Sequence, residues 1–151
     1  MIQLVRTNSE HKDFIHLVQA LDQNLAEKNG DRNDFFVQFN QLNFINHVVL
    51  AYNEDEVVGC GAFKPFDEET IEIKRMYVQP QHRRKGISRK ILNALEHWAS
   101  NKQYKFAVLE TGEKMTEAIG LYQSNGYEVI PNFPPYEHEY TSICFKKALN
   151  K

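Results

Sequence analysis

The chain has 151 residues, 42% of them apolar and 25% charged, which is one ordinary globular domain's worth of sequence. Disordered, collagenous and disulfide-scaffold classes are excluded, and a net charge of −2 argues against a general nucleic-acid or membrane-surface binder. Cys60 and Cys144 follow no metal-ligand spacing and read as reduced thiols. No apolar run approaches the length of a membrane span, and Met1 to Ser9 lacks a signal-peptide pattern. A cytoplasmic location is the expectation.

In chain order, Ile2 to Arg6 reads as a short strand. Asn8 or Ser9 is placed to cap a helix whose Phe14, Ile15, Leu17, Val18, Leu21 and Leu25 recur at helical spacing. A second helix is expected over 31–43, with Phe35, Phe36, Phe39 and Leu42 on one side. The period then shortens. His47 to Tyr52 and Val57 to Phe63 flank Asn53-Glu54-Asp55-Glu56, a hairpin signal. Thr70 to Val78 is a third strand, stopped by Pro80. Strict alternation along it puts Glu72, Lys74, Met76 and Val78 on one face and Ile71, Ile73, Arg75 and Tyr77 on the other. Gly86 to Ser100 is the clearest helix, with Ile87, Ile91, Leu92, Leu95 and Trp98 inward. Phe106 to Leu109 is a buried-type strand. Glu113 to Ser124 is a helix ended by Asn125-Gly126. Glu128 to Ile130 and Tyr140 to Phe145 close the chain as strands. This order, over residues 1–151 as one domain, means α+β or α/β with a mixed sheet.

Charge is unevenly spread. No acidic residue lies between Glu72 and Glu96, yet Lys74, Arg75, Arg83, Arg84, Lys85, Arg89 and Lys90 do. Arg83-Arg84-Lys85-Gly86-Ile87-Ser88 stands between a strand and a helix, where the helix dipole favours acids. Cations there make sense if a multi-oxygen anion occupies the turn, with Gly86 letting backbone amides approach it. The alternative is a solvated basic turn with Gly86 relieving strain.

Met76-Tyr77-Val78-Gln79-Pro80-Gln81-His82-Arg83-Arg84-Lys85-Gly86-Ile87-Ser88-Arg89-Lys90-Ile91-Leu92 resembles the central motif of the GNAT superfamily of acyl-CoA-dependent N-acetyltransferases. Leu109-Glu110-Thr111-Gly112, followed by Ala118-Ile119-Gly120-Leu121-Tyr122-Gln123-Ser124-Asn125-Gly126-Tyr127, is similar to its second signature, in the family's order and spacing. Ser88 stands where the family usually has Gly or Ala, and Met115 where many relatives carry an Asn.

The resemblance implies an α+β fold with a mixed, mostly antiparallel central sheet flanked by helices. It implies acetyl-CoA as acetyl donor, its pyrophosphate on the amides of Arg84, Lys85, Gly86, Ile87 and Ser88. Arg83 is then the motif's leading basic position, and Arg89 and Lys90 are candidates for the 3′-phosphate. The backbone of Met76, Tyr77 and Val78 would pair with pantetheine. Tyr122 is the candidate general acid, protonated at neutral pH because a phenol titrates near 10. Glu72 is the candidate base, unless it merely pairs with Lys74. Phe35, Tyr136 and Glu137 are candidates for the acceptor site, where aromatic rings and carboxylates suit a cationic amine. The six His form no metal spacing, and no metal is assigned. The implied partners are acetyl-CoA and an amine acceptor, with the chain a monomer or homodimer. A non-catalytic acyl-CoA sensor would keep the basic turn but need neither Tyr122 nor Glu72; a phosphate-binding module for another nucleotide would lack its P-loop Lys-Ser/Thr ending.

Overall fold

In a computed structural model that describes residues 1–29 and 44–149, seven strands form one sheet. The strands are β1 (Ile2–Thr7), β2 (His47–Asn53), β3 (Glu56–Pro65), β4 (Thr70–Val78), β5 (Phe106–Gly112), β6 (Glu128–Ile130) and β7 (Ser142–Ala148). Their spatial order is β1-β2-β3-β4-β5-β7-β6, antiparallel at every junction but β4–β5, which is parallel. The described helices are α1 (Lys12–Asn29), α2 (Ile87–Asn101) and α3 (Thr116–Ser124), with a 3₁₀ turn at Pro80–His82. The expected mixed, mostly antiparallel α+β sheet is therefore observed. The helix expected over 31–43, with Phe35 and Phe36, lies outside the described residues.

Strand alternation sends residues to two cores. Val49 and Ala51 of β2 join Ile87, Ile91, Leu92, Leu95 and Ala99 of α2 on one face. Val48 and Leu50 join Phe14, Leu17, Val18 and Leu21 of α1 on the other. Ile15, placed inward by sequence spacing, is 41% exposed. The cap of α1 also differs. The Asp13 N–H donates to His11 Nδ1 (3.1 Å), while Ser9 Oγ accepts from the Ile45 N–H (2.8 Å), so Ser9 clips two segments together rather than starting the helix.

The strict alternation expected along β4 fails, for an identifiable reason. β3 and β4 pair Cys60 with Tyr77 and Ala62 with Lys74, so β4 spends one more residue than its partner: a β-bulge. Arg75 sits there with a left-handed φ of 62°. Such a conformation costs a non-glycine residue about 1–2 kcal/mol. Two contacts hold it: the Cys60 thiol donates to the Arg75 carbonyl (3.3 Å), and Arg75 Nη1 bonds Asp22 Oδ1 of α1 (2.7 Å). Before the bulge, Ile71 and Ile73 face α2; after it, Met76 and Val78 do. Glu72 and Lys74 therefore share the α1 face with Arg75 and Tyr77, not with Met76 and Val78.

β4 and β5 pair over Thr70–Phe106, Ile71–Ala107 and Glu72–Val108, and there the pairing ends. Farther along β4, Met76 packs under Gly61. A Cβ on Gly61 would lie 2.5 Å from Met76 Sδ, 2.8 Å from Ile91 Cγ2 and 2.9 Å from Leu95 Cδ1. Gly61→Ala should accordingly destabilise the fold by about 1–3 kcal/mol through overpacking. Each kcal/mol appears as roughly 2–4 °C in melting temperature at this chain length. An unchanged melting temperature would mean that β3 and α2 are not pressed together at Gly61.

Candidate active site

Two features meet at the end of β4. The first is the turn into α2. The Gln79 N–H bonds the Val58 carbonyl (2.9 Å), which ties the turn's start to β3. Arg83 then folds back: its Nε donates to the Val78 carbonyl (2.7 Å) and its guanidinium lies 5.4 Å from the centroid of the Tyr77 ring. Arg84 and Gly86 both take left-handed φ, 67° and 79°. Gly86 is the N-cap of α2, with no side-chain cap bond and no acid in the helix's first turn. The first N–H groups of a helix have no intrahelical partner, so those of Ile87 and Ser88 lack one within α2. A Cβ built on Gly86 meets no atom within 4 Å, so open space adjoins these amides. Arg84, Lys85, Arg89 and Lys90 ring this turn and are exposed. The Arg84–Glu117 pair is exposed on both sides at 3.5 Å and holds little in place.

The second feature is a cavity of about 120 Å³ where β4 and β5 diverge. β4 supplies Glu72, Ile73, Lys74, Arg75 and Met76; β5 supplies Glu110, Thr111 and Gly112. α1 adds Leu21 and Leu25, and Met115, Ala118 and Tyr122 close the α3 side. Tyr122 is 6% exposed, its ring 5.7 Å from that of Tyr127 and 6.2 Å from that of Phe145. Burial, and then Glu110, push its phenol above the usual 10.0. Burial also raises the Glu110 carboxyl, opposed in part by the Ser142 hydroxyl that donates to its Oε2 (2.7 Å). Burial lowers the Lys74 ammonium, opposed by Glu72. Lys74 Nζ stands 3.8 Å from Glu72 Oε2, with both side chains nearly buried.

The residues singled out in the sequence fall into three places. Glu72, Met76 and Tyr122 share the cavity wall. Tyr77 is buried against the α1 core and Val78 against the α2 core. Arg83, Arg84, Lys85, Gly86, Ile87, Ser88 and Arg89 form the turn and the start of α2. Tyr136 is 1% exposed, packed with Val108, Phe133 and Cys144 on the sheet face that carries Glu72 and Glu110, and its phenol is raised by burial and then by those two carboxylates; Glu137 is exposed, and neither is among the residues that line the cavity. Phe35 lies outside the described residues. Sequence reasoning missed Glu110 and Lys74. The strand expected over Phe106 to Leu109 runs on to Gly112, because Glu110, Thr111 and Gly112 pair with Cys144, Ile143 and Ser142. Glu110, an acid directly after a buried-type run, was the available signal.

The acetyltransferase (GNAT) family model matches residues 13–127, and the chain belongs to that family. The uncharacterized N-acetyltransferase YsnE of Bacillus subtilis is 34% identical over 101 residues, 66% of this chain and 67% of that one. A Klebsiella pneumoniae structure named as an acyl-CoA N-acyltransferase is 31% identical, covers 99% of both chains and superposes with a TM-score of 0.82. A GNAT acetyltransferase from Elizabethkingia anophelis, crystallised with acetyl-CoA bound, shares the fold at 24% identity, with 98% of each chain covered and a TM-score of 0.71. The chain spans 40% and 37% of the length of two vertebrate relatives, from Xenopus tropicalis and Homo sapiens. No described helix is long and apolar enough to cross a membrane.

The raised Glu110 carboxyl has a stability consequence. The folded state holds its proton more tightly than the unfolded state, so this stabilising contribution is complete below the ordinary value of 4.5 and is lost as pH rises through the folded value. Glu110→Gln removes that loss and can still accept from Ser142. Its melting temperature should gain on the parent's as pH rises from the ordinary carboxylate range toward neutrality. Parallel curves of melting temperature against pH would show that Glu110 is not desolvated.

Proposed function

We propose that the chain is an N-acetyltransferase that takes acetyl-CoA as cosubstrate and transfers its acetyl group to a primary amine by direct attack. The observation that carries the reading is the adjacency of an uncapped, cation-ringed helix N-terminus to a cavity walled by Glu72, Glu110 and Tyr122.

The chain's parts divide the work. The open space at Gly86 and the amides from Arg84 to Ser88 suit a pyrophosphate, and the Ser88 hydroxyl adds a donor. Arg83 orders this turn through Val78 and Tyr77 rather than by free charge, while Arg84, Lys85 and Arg89 supply the positive field. Past Glu72, β4 has no ladder partner on its β5 side, which leaves the backbone of Met76 to Val78 for pantetheine amides. Acetyl-CoA supplies the thioester. An amine with a pKa near 10.4 arrives protonated, and Glu72 takes its proton directly or through water. Glu110 lies on the same wall as the second carboxylate for that role. Tyr122 Oη–H donates to the departing sulfur. The burial that raises its phenol also penalises a thiolate formed beside it, so the proton is still matched to its acceptor.

Two outcomes test the reading. Acetyl-CoA should raise the melting temperature, by about 2.7 kcal/mol of stability at a hundred times its dissociation constant. Gly86→Glu, which adds a negative side chain at an open left-handed position, should erase that shift. An unshifted parent removes the cofactor assignment; a Gly86→Glu chain that responds like the parent moves the site elsewhere.

Thiol release from acetyl-CoA across an amine panel should identify an acceptor. On it, Tyr122→Phe should lower kcat by about 10²–10⁴-fold with cofactor binding intact. Tyr127→Phe is the contrast. Its hydroxyl donates to Glu96 Oε2 (2.8 Å), so its loss should cost about 1.5–3 kcal/mol of stability and spare kcat. Near-parental kcat for Tyr122→Phe, where chemistry limits the rate, would take Tyr122 out of the mechanism. Cofactor binding with no amine acetylated would make the chain an acyl-CoA sensor.

A further inference from the structure

The cavity already contains an amine. Lys74 stands on β4 two residues beyond Glu72 and on the same face, its Nζ 3.8 Å from Glu72 Oε2. Its side chain is 12% exposed, so the ammonium lies against the cavity rather than in bulk water. The bulge sets Arg75 next to it on this face, and Arg75 is drawn aside to Asp22, toward α1. Lys74 remains with Glu72, Glu110 and Tyr122 around one small space.

We propose that Lys74 is a self-acylation site: its Nζ attacks an acyl-CoA thioester held in this cavity and becomes an Nε-acyl-lysine. The inference rests on the acyl-CoA reading above. It adds an acceptor that belongs to the chain itself. Burial, Lys64 and Arg75 loosen the ammonium proton, while Glu72 and Glu110 hold it. Glu72, at ion-pair distance, takes that proton when the pair closes from 3.8 Å to hydrogen-bond contact, and passes it to water. The neutral Nζ then forms a C–N bond at the acyl carbonyl carbon as the C–S bond breaks. Tyr122 Oη–H protonates the sulfur, and the second Nζ proton restores the phenol. The sum is one acyl-CoA and one lysine ammonium giving one acyl-lysine, one free CoA thiol and one proton to solvent. The product has no ammonium between the carboxylates, so an acylated chain presents a different cavity to an incoming amine.

The test is a peptide map of the full chain after incubation with acetyl-CoA and no added amine. Exposed lysines away from both features, such as Lys12, Lys102 and Lys105, are the internal reference. Acetylation of Lys74 ahead of all three, despite its burial, is expected. Glu72→Gln should slow labelling at Lys74 by about 10²–10⁴-fold, the range for a lost proton acceptor, and leave the exposed sites unchanged. Labelling that follows exposure, with Lys74 last, is surface chemistry and overturns the proposal. A blank Lys74 in a chain whose melting temperature still responds to acetyl-CoA overturns self-acylation and leaves the acetyltransferase reading intact. A chain with neither label nor thermal response overturns both.

Discussion

Everything at the site follows from β4 being unable to stay in register with both neighbours. It keeps a parallel ladder with β5 only as far as Glu72, then spends one extra residue at Arg75 against β3. The extra residue costs strain, since Arg75 adopts a conformation that favours glycine. It is over-determined by the Cys60 thiol on its carbonyl and the Asp22 carboxylate on its guanidinium. The gains are geometric. The two strands part around a cavity, and the end of β4 keeps one unpaired edge. Met76 turns under Gly61, which has no side chain to obstruct it.

The same bulge sorts charge. A net charge of −2 conceals two different charge environments on either side of the β4 end, one basic and one mixed. Outward, the start of α2 has four exposed cations and no acid in its first turn, against the preference set by the helix dipole. Inward, Glu72 and Glu110 share a desolvated space with Lys74 and Arg75. Desolvation drives Glu110 and Lys74 alike toward their neutral forms. The two shifts run in opposite directions, the carboxyl up and the ammonium down, and each weakens the charged form of its group. Burial is the largest cause of both.

Most of the fold was legible in the sequence, and the reason is local. The β2–β3 hairpin, the strand from Thr70 and the apolar stripe of α2 each carry their own period. The Gly86 turn and the Tyr122 helix carried recognisable motifs. The bulge was not legible, because Arg75 is no turn former and its conformation is set by Cys60 and Asp22, far away in sequence. Period-two reasoning past that point therefore assigned Met76 and Val78 to the wrong face. Glu110 escaped for a related reason: its membership of β5 depends on pairing with Cys144. The start of β7 was misread where Asn132 Nδ2 donates to the carbonyls of Tyr136, Glu139 and Ser142 and keeps Tyr140 and Thr141 in the loop.

Tyr122 and Tyr127 show why burial alone cannot identify a reacting group. They stand five residues apart, both buried, in edge-to-face contact at 5.7 Å, and both phenols are raised. Their partners separate them. Glu96 accepts from Tyr127 and also holds Lys147 at 2.9 Å, and the Lys147 ammonium lies 5.6 Å from the centroid of the Tyr127 ring. Tyr127 is thereby fixed in a bridge from α2 to β7, with its one proton already committed. The Tyr122 carbonyl accepts from the Tyr127 N–H (3.0 Å), but its hydroxyl has no hydrogen bond among the described residues and stands on the wall of a cavity that also holds Glu110. A donor whose proton is committed stabilises the fold; a donor facing a cavity keeps its proton for whatever enters. The Asn125-Gly126 turn between them reverses the chain, and so places one phenol at the cavity and the other behind it.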